Sequence, residues 1–308
     1  MKGNMVILEF LLFPGLLFTA IAGLLTSWVD RKVTALVQMR VGPPLLQPFY
    51  DIRKLLIKET CVPEDGATGL FLLAPLLGLA AVTLASMILW RTLLNPEATF
   101  VGDLIVLIYL LIMPALAVML GSFASRNPLA SLGGSREVKL MIAYELPLVL
   151  AILVPVIQAN SIRLGDLLSG QSPVTSVSGV LSLLVCIVCV QAKLTIVPFD
   201  MPEAETELSG GALIEYSGPP LAVFKLTRAM MLFILPVLLV VLYFGGMVSG
   251  PGWQAALIGF LLWFVLVAIT IVIRNTTPRV RIDQAVRFFW GPVSVVALVA
   301  VTLAGLGW

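Results

Sequence analysis

Apolar residues in this chain recur in unbroken runs of about twenty, separated by short polar breaks, with neither a period-two alternation nor a narrow helical stripe. Runs of that length are what a helix needs to cross a bilayer. They fall at 5–27, 69–90, 103–122, 138–159, 177–197, 229–249, 254–273 and 290–307, so the pattern predicts eight transmembrane helices. The first run is too long for the apolar core of a secretory signal. Glu9 interrupts its start, and Trp28-Val29-Asp30-Arg31-Lys32 follows it in place of a small-residue cleavage site, so we read it as a retained helix. Residues 44–60 break the pattern differently. Phe49, Ile52, Leu55 and Leu56 fall near helical spacing, with Asp51, Arg53, Lys54 and Lys58 largely opposite, which predicts an amphipathic helix lying on the cytoplasmic membrane surface. No internal repeat or low-complexity linker interrupts residues 1–308, which read as a single polytopic membrane domain.

Composition agrees. The chain is 59% hydrophobic and 12% charged, against about 25% charged in ordinary soluble domains, which leaves too little polar surface for a water-exposed body. The expected fold class is therefore an all-α integral membrane protein of about eight transmembrane helices plus one interfacial helix. A net charge of +2 argues against a nucleic-acid partner. Histidine is absent, which excludes histidine bases, haem ligation by histidine and Cys/His zinc sites, and three cysteines cannot complete a four-thiolate centre. We therefore expect no cofactor and no metal bound by this chain. Cys186 and Cys189 lie inside an apolar run and read as packing residues.

The basic residues orient the spans. Of 19 Lys and Arg, 16 fall in the loops after spans one, three, five and seven, and only Lys2, Arg91 and Arg163 fall on the other face. Cytoplasmic loops carry such an excess, so the asymmetry predicts a multi-pass protein of a bacterial or archaeal cytoplasmic membrane with both termini outside.

Carboxylates in a span cost several kcal/mol and mark functional positions. Glu145 sits well inside the fourth span, and Glu137 eight residues earlier lies on nearly the same face, about 12 Å away along a helix axis. A single buried ion pair and a proton relay are both open readings of such a position. The next basic-face loop holds Asp200, Glu203, Glu205, Glu207 and Glu215 within 16 residues, wrapped by Ile196, Val197, Phe199, Leu213, Ile214 and Tyr216. Pro198, Pro202, Gly210, Gly211 and Gly218 break the helix there, and irregular polar backbone at membrane depth survives only inside protein or beside a water-filled cavity. Like charges so close do not all ionise cheaply, which suits proton transfer better than metal binding.

These residues carry a resemblance. Pro198-Phe199-Asp200-x-Pro202-Glu203-Ala204-Glu205-x-Glu207-Leu208 with Glu215-Tyr216-Ser217-Gly218 resembles the signature loop of the membrane heel subunit of respiratory complex I, shared with energy-converting [NiFe] hydrogenases. Arg40-Val41-Gly42-Pro43, Asp51-x-x-Lys54-Leu55-x-x-Lys58-Glu59 and Pro278-Arg279-x-Arg281-x-Asp283-Gln284 are similar to the same family, in the same order. The resemblance implies a subunit that docks a peripheral arm, made of a large redox subunit and a small iron–sulfur subunit, on its cytoplasmic face. It implies proton transfer through Asp200, Glu203, Glu205, Glu207 and Glu215 at the mouth and Glu137 and Glu145 further in, toward antiporter-like membrane subunits. Arg31, Lys32, Arg40, Arg136, Arg279 and Arg281 would balance that charge or face the arm. The partners, not this chain, would carry iron–sulfur clusters.

Where quinone-reducing members show an Arg-Ala-Ala-Ala-Gln-like string, this chain has Gly133-Gly134-Ser135-Arg136-Glu137, which resembles hydrogenase-type and formate hydrogenlyase-type relatives. That string favours a complex with a [NiFe] centre in a partner subunit, with a quinone-reducing complex as the alternative. A stand-alone secondary transporter stays open, although many such transporters carry internal repeats. A lone transporter would purify alone, whereas a heel subunit would bring redox subunits with it.

Overall fold

In the computed structural model, which describes residues 8–64, 66–248 and 252–307 apart from the side chains of Glu205 and Thr206, the regular elements are all helical. In chain order they are α1 (Leu16–Val37), α2 (Gln47–Ile57), α3 (Thr68–Leu94), α4 (Asp103–Ala124), α5 (Pro128–Ala159), α6 (Leu164–Ser169), α7 (Val177–Lys193), α8 (Gly218–Val248), α9 (Trp253–Thr276), α10 (Ile282–Phe288) and α11 (Ser294–Gly305), with short single turns between them. Seven helical segments are long and apolar enough to cross a membrane, and α7, at 17 residues, is a shorter apolar eighth. Each expected span has a helix in its place.

Two of them begin about ten residues earlier than hydropathy suggests. Helix α5 starts at Pro128, capped by the Asn127 side chain accepting from Leu129 N at 2.8 Å, so Arg136 and Lys139 are helical residues and not loop. Helix α8 starts at Gly218 and carries Lys225 and Arg228 within it. The last span also starts early, because α10, a five-residue π turn at Phe289–Val293 and α11 run on as one apolar stretch. Pro292 supplies no N–H there, and Ser294 Oγ donates to the Phe289 carbonyl at 2.7 Å.

Helix α8 is the axis of the bundle. It is apolar on nearly every side and mostly buried, as a helix surrounded by others must be. Small residues let neighbours approach it: a Cβ on Gly23 of α1 would lie 2.7 Å from the Ala229 backbone. Helix α9, by contrast, leaves Trp253, Phe260, Leu261 and Val265 outward, the surface a bilayer solvates. The amphipathic α2 lies across the ends of α1 and α8 and buries Pro48, with Phe49, Ile52 and Leu55 half-buried. Leu56 was expected on that inner face but is exposed, whereas Asp51 is turned partly inward, where it meets Arg31.

Candidate functional site

The segment 194–217 between α7 and α8 carries the acidic cluster, and its irregular backbone is pinned from several sides. Thr195 and Ser209 adopt positive φ. The Val280 N–H donates to the Pro198 carbonyl at 3.1 Å. Tyr216 stacks on Phe71 of α3 with ring centroids 4.0 Å apart, and its hydroxyl donates to the Phe71 carbonyl at 2.9 Å. Gly121 makes room for that ring, since a Cβ there would lie 2.2 Å from the Tyr216 oxygen. Burial pushes the Tyr216 phenol up, so the group stays a neutral donor. Gly133 on α5 serves the same purpose for the turn at 211–213: its Cβ would lie 2.4 Å from the Ala212 nitrogen.

Each described acidic side chain of this loop has its own fixed neighbour. Asp200 pairs with Arg279 at 2.8 Å and Glu207 with Arg136 at 2.6 Å. Glu203 pairs with Arg228, whose other nitrogen donates to the Thr195 carbonyl at 2.6 Å. Glu215 accepts from the Asn127 side-chain amide, the same residue that caps α5. The Glu205 side chain lies outside the described residues. Burial pushes the Asp200 carboxyl above the usual carboxylate range, and Arg279 offsets only part of that. Asp51 experiences the opposite balance: burial raises it, but hydrogen bonds from Arg31 and Gln47 outweigh burial and hold it below the usual range.

Behind the loop lies a cavity of about 280 Å³ between α4, α5, α7 and α8. Glu137, Lys193, Glu203, Lys225 and Arg228 contribute its polar wall, and Leu111, Leu221, Phe224 and Met231 much of the rest. Glu137 and Glu203 thus open onto one space, although they are distant in sequence. Glu145 does not line the cavity. It lies one step further in, bound at 3.2 Å to Lys193, whose ammonium also sits 5.3 Å from the Tyr144 ring centre. Glu137 thus faces the cavity, whereas Glu145 is held by Lys193 at the cavity wall.

The expected positive residues divide. Arg31, Arg136 and Arg279 pair with Asp51, Glu207 and Asp200. Lys32, Arg40 and Arg281 make no ion pair among the described residues, and Arg40 donates instead to the Gln38 side chain. Sequence reasoning missed Lys193 and Arg228, which it counted only as basic-face markers, and also the Asp30–Arg274 pair that ties α1 to α9. Lys193 did leave a signal: it is the only charge in the run 177–197.

An all-helical, multi-pass membrane protein with a charged loop folded over an internal cavity lined by acids and bases is the class that this geometry defines. The sequence pattern of the NADH dehydrogenase family matches residues 9–305. The chain is 35% identical over 307 residues to a subunit of the NADH-quinone oxidoreductase of Geobacillus thermodenitrificans, covering 94% of this chain and 92% of that one. It is 34% identical to the equivalent subunit from Brevibacillus brevis, over 97% and 93% of the two chains. The chain belongs to this family of membrane subunits of complex I-like respiratory complexes. Among solved structures, a chain of an archaeal respiratory membrane complex, the membrane-bound sulfane sulfur reductase, shares the fold, with a TM-score of 0.85 at 24% identity over 97% of this chain and 99% of that one.

Proposed function

We propose that this chain is the heel subunit of a redox-driven ion pump. It docks a peripheral redox arm on its basic, cytoplasmic face and passes changes of protonation inward to neighbouring antiporter-like subunits. The observation that carries this reading is the buried acidic route itself. A loop closed by ion pairs covers a cavity that joins Glu203 to Glu137, and Lys193 connects that cavity to Glu145. A bilayer-embedded carboxylate is costly, and an anchor for a soluble enzyme has no use for one. With no histidine and three cysteines, the chain has too few ligands of its own for a haem or a four-thiolate cluster. Electron transfer therefore falls to the partners, which would carry iron–sulfur clusters. Redox events there act on this chain through charge or movement at the 200–215 loop.

The names of the relatives favour a complex that reduces quinone. A second reading, a hydrogenase-type complex with a [NiFe] centre in its large subunit, rests on Gly133-Gly134-Ser135-Arg136-Glu137. The members of that string have distinct positions here: Gly133 lies against the Ala212 turn, Gly134 against Ser122, and Arg136 on Glu207. Pull-down of the chain from gently solubilised native membranes, with assays of the recovered complex for quinone reduction, nickel and hydrogen evolution, tests both. Quinone reduction without nickel supports the first, and nickel with hydrogen evolution supports the second. Recovery of the chain alone refutes the heel-subunit reading.

A further inference from the structure

Pro75 opens a gap in α3 that a residue of the acidic loop fills. In a regular helix the N–H of residue 75 donates to the carbonyl of residue 71, and proline has no N–H to give. Phe71 is fully buried, so solvent does not replace the missing donor. The donor is instead the Tyr216 hydroxyl, 2.9 Å from the Phe71 carbonyl oxygen. The same repair recurs at Pro155 in α5, which leaves the Ala151 carbonyl without its helical donor; there the Tyr243 hydroxyl donates to it at 3.1 Å. Tyr243 belongs to α8, so in that case one helix repairs another. At Pro75 the donor comes from irregular chain, and the repair also fastens the loop. It does so at a junction. Glu215 is held by Asn127, the cap of α5, and the Tyr216 ring stands edge-on to Phe224 of the cavity wall, centroids 4.9 Å apart. Ser217 Oγ accepts from Cys61 N at 3.0 Å, and Gly218, at φ +61°, packs so closely on the segment after α2 that a Cβ would lie 2.6 Å from the Glu59 carbonyl oxygen.

We propose that Tyr216 is the positioning residue of the acidic loop, and that its hydroxyl acts by closing the hydrogen-bond gap that Pro75 leaves in α3. The ring by itself does not set a register, because stacked and edge-on rings can slide over one another. A hydrogen bond to one fixed carbonyl is directional and selects a single position. Without the hydroxyl, the docked loop buries the Phe71 carbonyl unpaired, whereas a released loop lets water reach it. Loss of that one oxygen therefore favours release of residues 211–217 over their docked position. Glu215 and the cover over the cavity lose their place with them. The proposal deepens the heel-subunit reading and rests on it for the pumping measurement alone.

A double-mutant cycle on the whole purified complex tests this. Tyr216→Phe keeps the ring and removes the hydroxyl. It should raise hydrogen exchange of the 211–217 amides and lower pumping per redox turnover in proteoliposomes, each by about fivefold. Pro75→Ala gives the Phe71 carbonyl a backbone donor of its own, which makes the hydroxyl redundant. In that background the same Tyr216→Phe change should alter neither quantity by more than about twofold. A tyrosine that only packs predicts no such rescue. Native exchange in Tyr216→Phe alone, or an equal rise in both backgrounds, overturns the proposal. Exchange that follows the cycle while Glu145→Gln still pumps normally upholds the anchor and refutes the relay. Should Pro75→Ala fail to assemble, Gly121→Ala decides. Its methyl, 2.2 Å from the Tyr216 oxygen, displaces the hydroxyl and should reproduce the exchange of Tyr216→Phe; native exchange there overturns the proposal.

Discussion

The two ends of the helical bundle handle buried charge by different means. At the basic end, carboxylates meet side-chain cations: Asp51 with Arg31, Glu203 with Arg228, Glu207 with Arg136, Asp200 with Arg279, Glu145 with Lys193. At the opposite end, Asp103 is 1% exposed and is held by backbone instead, its Oδ1 accepting from Leu104 N at 2.8 Å and Leu164 N at 2.9 Å. The neighbouring guanidinium of Arg163 donates to the Thr99 carbonyl at 2.8 Å. Backbone amides are fixed in place, so the Asp103 arrangement staples α4 to α6. Side-chain cations can exchange carboxylates, so the basic-end arrangement can change state. The same cost of burying an acid is met by a clamp at one end and by movable charges at the other.

Substitutions matched across the two ends should separate stability from function. Glu145→Gln should have the largest effect, abolishing ion pumping in an assembled complex that still turns over its redox substrates; proton uptake by proteoliposomes measures it, and intact pumping removes Glu145 from the route. Next come two glycines under equal steric pressure. Gly133→Ala drives a methyl against the Ala212 nitrogen at 2.4 Å, and Gly165→Ala drives one against the Pro96 carbonyl at 2.2 Å. Each should cost about 1–3 kcal/mol of stability by overpacking, seen in thermal denaturation of the complex. Only Gly133→Ala should also impair pumping and retention of the arm, and equal functional loss in both would break the contrast between the ends. Asp103→Ala removes the cap on α6 and should cost about 1 kcal/mol with pumping unchanged.

The smallest effects are those of pH and of the exposed pair. Asp200 has a raised carboxyl, so the folded state holds its proton to higher pH than the unfolded chain does. Its contribution to stability is present at low pH and is lost as pH rises from the ordinary carboxylate range through the raised value. Asp200→Asn should flatten that part of a stability–pH curve. Asp51 is lowered, so its contribution is present above the ordinary carboxylate range and is lost as pH falls through the lowered value. Arg31→Ala should weaken that acid limb by only about 0.2–1 kcal/mol, because the pair is largely exposed.

Hydropathy alone determined the number and order of the spans, because lipid demands about twenty apolar residues wherever a helix crosses. The distribution of Lys and Arg determined which face is basic, and the motif at 198–218 marked the loop that matters. The same reading placed the starts of α5 and α8 about ten residues late. It took Arg136, Lys139, Lys225 and Arg228 as loop residues, since a charge lowers any hydropathy average whether or not a partner neutralises it. Which charge meets which was not legible in the sequence. Glu145 and Lys193 are 48 residues apart, Arg136 and Glu207 are 71 apart, and Asp30 and Arg274 are 244 apart. Periodicity describes one helix at a time, whereas an ion pair between helices depends on how those helices cross. The sequence therefore defined a membrane bundle with acids in costly places, and only the packing of the helices turned Lys193 from a topology marker into the buried partner of Glu145.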